Sequence, residues 1–190
     1  MTPKIYVVKV NSPIDENTFQ FLLEFVQQEK KERILRHRHK QDADNMLIAD
    51  ILTKIAIKNV FGIPLQEQKI VYNDHGKPYL AEFPDVHFNI SHSGSYVACG
   101  LANRPIGIDI QKIGTYKPDL AKKVCNEAEL TQIETSFDKS SEFTKIWTQK
   151  EAVLKMQGLG IANGNIKNCL QSLDVESQKL DNYWISVWCP

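Results

Sequence analysis

Apolar and polar side chains alternate in PIGIDIQKI, residues 105–113. Alternate side chains of a β-strand point to the same face, so Ile106, Ile108 and Ile110 would line one face while Asp109 and Gln111 share the other. A carboxylate and an amide are hard oxygen donors, and with a third oxygen they can hold Mg²⁺ against substrate phosphates. The alternative is a half-exposed strand whose polar side chains simply face water.

Further strands and helices are predicted on both sides of this stretch. Short runs rich in β-branched and aromatic residues predict strands, and apolar residues at helical spacing predict helices. The predicted strands are residues 4–10, 69–73, 78–83, 87–91, 96–102, 106–113, 167–175 and 182–188. The predicted helices are residues 12–28, a long amphipathic helix that ends at Gly62, and residues 117–136 and 141–157. Helices ending in FGI (61–63) and LGI (159–161), each followed by strands, fit two α+β halves packed together.

The composition excludes several classes of protein. Lys plus Arg equals Asp plus Glu at 23 each over 190 residues, and zero net charge argues against bulk attraction to nucleic acid or an anionic membrane. The four cysteines form no C-x-x-C pair, which suits neither a zinc site nor a dense disulfide framework. No apolar stretch approaches the ~18 residues of a membrane span. We therefore expect a reduced, cytoplasmic, soluble protein.

The segment HFNISHSG, residues 87–94, is the next candidate for chemistry. We predict that Ser91, His92, Ser93 and Gly94 form a tight polar turn between two strands. A hydroxyl, an imidazole and the backbone amides of a turn can together grip a phosphate oxygen. The alternative is a turn selected only for its backbone conformation, with His92 idle on the surface.

A basic run from Lys30 to Lys40 contains six Lys or Arg residues and two histidines. Such local concentration of positive charge in a neutral protein suits an anionic ligand. A solvated helix start explains it equally well. Nucleic acid is a weaker candidate, because no aromatic side chains interleave the basic residues to stack on bases.

The decapeptide IWTQKEAVLK, residues 146–155, is predicted to be helical. Trp147, Glu151 and Lys155 recur every four residues and lie along one stripe of the helix. Glu151 can offer the third oxygen to a metal, Lys155 can meet phosphate charge, and Lys150 can do so from a neighbouring angle. The alternative is a solvated face, on which a Glu–Lys pair four residues apart contributes about 0.2–0.5 kcal/mol.

The order and spacing of these motifs resemble the Sfp-type 4′-phosphopantetheinyl transferases. The resemblance is carried by HFNISHSG (87–94), PIGIDIQKI (105–113) and FTKIWTQKEAVLKMQGLGI (143–161), together with the basic segment 29–52 and the tripeptide GKP (76–78). It implies a pseudo-twofold arrangement of two similar α+β halves with coenzyme A between them, which we divide into residues 1–103 and 104–190. It also implies an enzyme of the holo-[acyl-carrier-protein] synthase type. Such an enzyme transfers phosphopantetheine from coenzyme A to a carrier-domain serine and releases adenosine 3′,5′-bisphosphate.

By the same resemblance, Asp109, Gln111 and Glu151 are the expected Mg²⁺ ligands, with Glu151 as general base and Lys155 on the phosphates. The expected coenzyme A contacts are Lys30, Arg33, Gly76, Lys77, Pro78, Ser91, His92, Lys150 and Lys155. The implied partners are apo acyl or peptidyl carrier domains of fatty acid, polyketide or nonribosomal peptide synthesis. We expect a monomer that engages neither nucleic acid nor membrane.

Two departures from the family pattern keep an alternative open. Gln111 stands where relatives often have Glu, which removes one negative charge from the expected metal site. The second half is short at its C-terminal end, so we expect an exposed edge there. The alternative is a non-catalytic member of the same fold that binds coenzyme A or a carrier domain.

The resemblance also suggests where the carrier domain docks. The segment after the metal strand, residues 115–130, corresponds to the docking region of the family. Leu120, Val124 and Cys125 would meet an apolar patch on an acidic carrier helix, with Lys122 and Lys123 at the rim. The alternative is that the apolar residues face the protein's own core.

Overall fold

The computed structural model describes residues 1–158, 165–171 and 173–190, and it has the predicted α+β class. The strands are β1 (Lys4–Lys9), β2 (Ile70–Tyr72), β3 (Pro78–Leu80), β4 (His87–Ser93), β5 (Tyr96–Ala102), β6 (Gly107–Lys112), β7 (Glu176–Leu180) and β8 (Tyr183–Trp188). The helices are α1 (Glu16–Leu23), α2 (Gln28–Leu35), α3 (Lys40–Phe61), α4 (Pro118–Val124), α5 (Glu127–Thr135) and α6 (Lys139–Gln157), with a short 3₁₀ turn at Leu65–Glu67. The tripeptide LGI at 159–161 lies outside the described residues.

The described strands form two similar antiparallel sheets and one small hairpin. The sheets have the orders β1–β5–β4 and β6–β8–β7, and β2 pairs with β3. The long helix α3 packs on the first sheet, and α6 packs on β6 and β8 of the second. Each three-stranded sheet is therefore covered by one long helix, as expected for two related α+β halves. The boundary between residues 103 and 104 stays a prediction.

Helix ends account for two differences from the predicted elements. The helix predicted for residues 12–28 is shorter than predicted, because α1 covers only Glu16–Leu23 and α2 begins only at Gln28. The helix predicted for residues 117–136 is interrupted at Asn126, which forms a capping box with Glu129 at the start of α5. Gly62 ends α3 in the left-handed conformation, with φ of 74°, as predicted.

One strand prediction and one turn prediction are wrong. Residues predicted as a strand at 167–175 form turns where the structure describes them up to Gln171, and β7 begins only at Glu176. Ser91, His92 and Ser93 belong to β4 and pair with β5, so the turn is confined to Gly94 and Ser95. The backbone amides of Ser91, His92 and Ser93 therefore cannot form the phosphate-binding turn that the sequence suggested.

Strand β6 lies unusually close to α6. A Cβ atom added to Gly107 would lie 1.8 Å from the carbonyl oxygen of Ala152 and 2.6 Å from the backbone nitrogen of Met156. Only glycine allows this approach of two backbones. On the opposite face, Ile108 and Ile110 are fully buried in the core of the second sheet. Glycine contact and isoleucine burial together fix β6 against α6.

Among the described residues, no helix combines the length and the apolar character that crossing a membrane would require.

Candidate active site

The alternation predicted for β6 places Asp109 and Gln111 in a cleft of about 360 Å³ between β4, β6 and α6. Glu151 and Lys155 of α6 line the same cleft, as does Ser91 of β4. Asp109 is 5% exposed and Glu151 is 7% exposed, so both carboxyl groups are buried. The structure thus brings together all three predicted metal ligands.

A hydrogen-bond network joins three elements at this cleft. The Lys155 ammonium donates to Asp109 Oδ1 at 2.6 Å and to Ser91 Oγ at 3.0 Å. The Ser91 hydroxyl donates to Asp109 Oδ1 at 2.7 Å and accepts from the backbone N–H of Ile110 at 3.2 Å. The second carboxylate oxygen of Asp109, Oδ2, is buried and has no hydrogen-bond partner among the described residues. A buried, unpartnered carboxylate oxygen suits a bound cation.

The electrostatics of Glu151 also fit a cation. The pKa of Glu151 is raised to about 7, first by burial and then by the negative charge of Asp109, while Lys155 opposes the shift. Two buried carboxyl groups that share one lysine would be stabilised by an additional positive charge. The described residues include no cluster of three His, Cys, Asp or Glu side chains able to hold a metal. A three-ligand site here would therefore use the half-buried amide of Gln111.

The predicted GKP turn lines an adjoining cleft of about 340 Å³, which meets the first cleft at Ile90, Glu151 and Lys155. Asn73 Oδ1 holds the turn by accepting from the backbone N–H of Lys77 at 2.8 Å. The Lys77 ammonium itself donates to the carbonyl of Met156 at 2.6 Å. Lys77 therefore attaches the turn to the end of α6, and burial lowers its pKa.

The adjoining cleft is otherwise lined by residues of the GKP turn, β4 and α6. The full lining is His75, Gly76, Lys77, Pro78, Asn89, Ile90, Glu151, Leu154, Lys155 and Gly158. Sequence reasoning missed His75 and Asn89. The signal for Asn89 was its position two residues before Ser91, since β-strand alternation gives both side chains the same face.

A positive region adjoins the site at His92. Although much of its ring is exposed, His92 has a lowered pKa, first because neighbouring atoms desolvate it and then because Lys155 is positively charged. Lys30 lowers the same pKa more weakly. Lys30 and Arg33 of α2 both lie over the Tyr72 ring, with the Lys30 Nζ 5.8 Å and the Arg33 Cζ 5.5 Å from its centroid. Lys30 and Lys155 thus place positive charge near His92.

The structure does not bring Lys150 to the site, and this prediction requires correction. Its ammonium is fully buried on the other side of α6, 2.8 Å from Glu129 Oε1. It also donates to the carbonyls of Ile166 at 2.8 Å and Lys167 at 3.1 Å. Adjacent residues on a helix are about 100° apart, so Lys150 cannot share the face of Glu151.

A third cleft, of about 510 Å³, opens beyond the metal-ligand candidates. It shares Gln111 and Trp147 with the first cleft, and Leu120 and Phe143 add apolar surface. Its lining also includes Lys112 and Lys117. Of the residues predicted to dock a carrier, Leu120 is exposed, whereas Val124 and Cys125 are buried in a core cluster. For these two residues the core alternative is the correct one.

Comparison with known proteins agrees with this architecture. Residues 12–105 match the family described as "4′-phosphopantetheinyl transferase, N-terminal", and residues 105–187 match the "4′-phosphopantetheinyl transferase superfamily". Together the two matches extend over most of the described residues.

Individual relatives give the same result. The chain is 30% identical over 161 residues to "4′-phosphopantetheinyl transferase Sfp" of Bacillus subtilis (strain 168), covering 84% of this chain and 72% of the relative. A second "4′-phosphopantetheinyl transferase" of Bacillus subtilis is 33% identical with the same coverage. "4′-phosphopantetheinyl transferase gsp" of Aneurinibacillus migulanus is 35% identical over 156 residues, covering 81% of this chain and 65% of the relative. The chain therefore belongs to the Sfp-type 4′-phosphopantetheinyl transferase family.

Proposed function

We propose that this 4′-phosphopantetheinyl transferase moves the phosphopantetheine group of coenzyme A to a serine of an apo carrier domain, with Mg²⁺ bound by Asp109, Gln111 and Glu151. The observation that carries the proposal is the meeting of β4, β6 and α6 at one cleft. There an unpartnered carboxylate oxygen of Asp109, a carboxyl group with raised pKa at Glu151 and the ammonium of Lys155 lie together.

The fit of a metal rests on these residues. Asp109 Oδ1 is engaged by Lys155 and Ser91, which leaves Oδ2 for a cation. Glu151 and Gln111 line the same space and carry the oxygen ligands that Mg²⁺ prefers. When bound, Mg²⁺ would neutralise and orient the diphosphate of coenzyme A, a role in which positioning and electrostatics dominate.

The protein's own groups account for the rest of the reaction. The carrier serine oxygen attacks the β-phosphorus of coenzyme A, and the bond from that phosphorus to the bridging oxygen breaks, so adenosine 3′,5′-bisphosphate leaves. The Glu151 carboxylate accepts the serine proton as general base. Lys155 offsets the negative charge that develops on the leaving phosphate. The chain needs to supply no nucleophile of its own.

The remaining residues would contact either coenzyme A or the carrier domain. Lys30 and Arg33 supply positive charge for the adenosine phosphates next to His92, and the turn from Gly76 to Pro78 lines the coenzyme A side. On the other side of the metal ligands, Leu120 and Phe143 offer an apolar floor with lysines in the lining. An acidic amphipathic helix of a carrier domain complements that surface.

The direct experiment is incubation of the protein with coenzyme A, Mg²⁺ and apo carrier domains from fatty acid, polyketide and nonribosomal peptide systems. We expect the mass of one phosphopantetheine to appear on at least one carrier and to require Mg²⁺. Coenzyme A binding without any mass gain on several carriers would instead support the non-catalytic alternative.

A further inference from the structure

Three side chains of β4 take the place of a backbone ladder between β4 and β6. The oxygen of Asn89 accepts from the backbone N–H of Ile108 at 2.9 Å. The hydroxyl of Ser91 accepts from Ile110 at 3.2 Å, and the hydroxyl of Ser93 accepts from Lys112 at 3.1 Å. Every second residue of β4 thus holds every second N–H of β6, the strand that carries Asp109. This row of side chains sets the position of the metal-ligand strand.

Asn89 differs from the two serines because its side chain has a second polar atom. The N–H of Ile108 requires the amide oxygen on its side, so the amide nitrogen points the other way. That nitrogen donates no hydrogen bond to any residue within the described ranges, although Asn89 is only 4% exposed. The amide nitrogen is thus a donor available to a ligand in the cleft that Asn89 lines.

Asn89 lines the same cleft as Glu151 and Lys155, so its free amide donor faces that cleft. Other donors at this cleft are already engaged within the protein. The Lys77 ammonium donates to the Met156 carbonyl, and the Lys155 ammonium donates to Asp109 and Ser91. The Asn89 amide is a neutral donor beside these groups, held rigidly by its bond to β6.

We propose that Asn89 is a substrate-binding and positioning residue, whose amide nitrogen donates to a phosphate oxygen of coenzyme A while its amide oxygen holds β6. The proposal rests on the proposed function, since it needs coenzyme A in this cleft. One rigid side chain would then align the metal-ligand strand and the diphosphate with each other.

The test is the isosteric variant Asn89→Asp, which keeps an oxygen for the Ile108 N–H but replaces the donor by a negatively charged oxygen. Ser93→Ala is the matched control, because it removes a bond of the same row at the end that does not line the cleft. Coenzyme A binding is measured by calorimetry with Mg²⁺ present, and unfolding by circular dichroism. We expect Asn89→Asp to weaken binding by about 10- to 100-fold, as for loss of a hydrogen bond to a charged group. We expect Ser93→Ala to bind within about threefold of the wild type.

Steady-state kinetics separate this role from a merely structural one. We expect the KM for coenzyme A to rise in Asn89→Asp while the KM for the carrier stays within about twofold. A fall in kcat alone, or coenzyme A binding by folded Asn89→Asp as tight as in the wild type, overturns the proposal. If Asn89→Asp does not fold, Asn89→Ser carries the test, since it keeps an acceptor for β6 and withdraws the donor from the cleft. Failure of the wild type to bind coenzyme A would instead overturn the proposed function.

Discussion

The contact between β6 and α6 predicts the effect of a single added methyl group, in the variant Gly107→Ala. The new Cβ would lie 1.8 Å from the Ala152 carbonyl oxygen, whereas real Cβ atoms essentially never approach below 3.0 Å. The clashing atoms are helix backbone, so no side chain can rotate away. The strand and helix must therefore separate by about 1.2 Å. This shift would disturb the 2.6 Å bond between Lys155 and Asp109.

Two magnitudes follow for Gly107→Ala. Overpacking of this kind costs about 1–3 kcal/mol of unfolding free energy. A displacement of about 1 Å between catalytic groups can lower the rate about 100-fold. We expect kcat/KM for carrier modification to fall by about that factor in a protein that still unfolds cooperatively.

The control for this prediction is Gly100→Ala in the central strand of the other sheet. Its Cβ would meet only the ends of flexible side chains, Ile106 Cδ1 at 3.0 Å and Ile5 Cδ1 at 3.3 Å. These side chains can adjust, so we expect activity within a few-fold of the wild type. Wild-type kcat/KM together with wild-type stability in Gly107→Ala would refute the reasoning about the β6–α6 contact.

The remaining predictions concern a buried lysine, a histidine and the neutral metal-ligand candidate. Lys150→Met leaves Glu129 buried without its cation, so urea unfolding should show a loss of about 3–5 kcal/mol; the double variant with Glu129→Gln should recover part of it, and no recovery would argue against the pair. His92 has a lowered pKa, first through desolvation and then through Lys155, and a bound phosphate would raise it, so the wild type should take up more protons on binding coenzyme A than His92→Gln does. Calorimetry in buffers of different ionisation enthalpy measures this difference, and equal uptake in the two proteins would assign the proton to another group. Gln111→Glu should keep turnover and reach half-maximal activity at lower Mg²⁺, because it adds a charged oxygen; complete loss of turnover would show that this position does not face the metal.

The sequence correctly predicts those parts of the fold that depend only on residue spacing within a single helix or strand. Strict alternation in residues 105–113 places Asp109 on the cleft face of β6, and the four-residue stripe of α6 places Glu151 and Lys155 opposite it. Both patterns require only the geometry of a single strand or helix.

The wrong predictions concern residues whose positions depend on contacts with another part of the chain. Lys150 looked like a phosphate ligand because it adjoins Glu151, but its partners lie on α5 and in the 166–167 turn, far along the chain. Ser91 and Ser93 looked like turn residues because they are small and polar. In the structure they continue β4, since their hydroxyls replace the ladder to β6. No local pattern encodes such tertiary pairing.

The proposed function requires that Asp109 and Glu151 hold one divalent ion together. Mn²⁺ in place of Mg²⁺ allows binding to be followed by electron paramagnetic resonance with coenzyme A present, independently of turnover. Wild type and the control Glu127→Gln, a change at an exposed residue of α5, should bind one Mn²⁺. Asp109→Asn and Glu151→Gln should each lose that binding while remaining folded, and tight Mn²⁺ binding by either of these variants would rule out the proposed metal site.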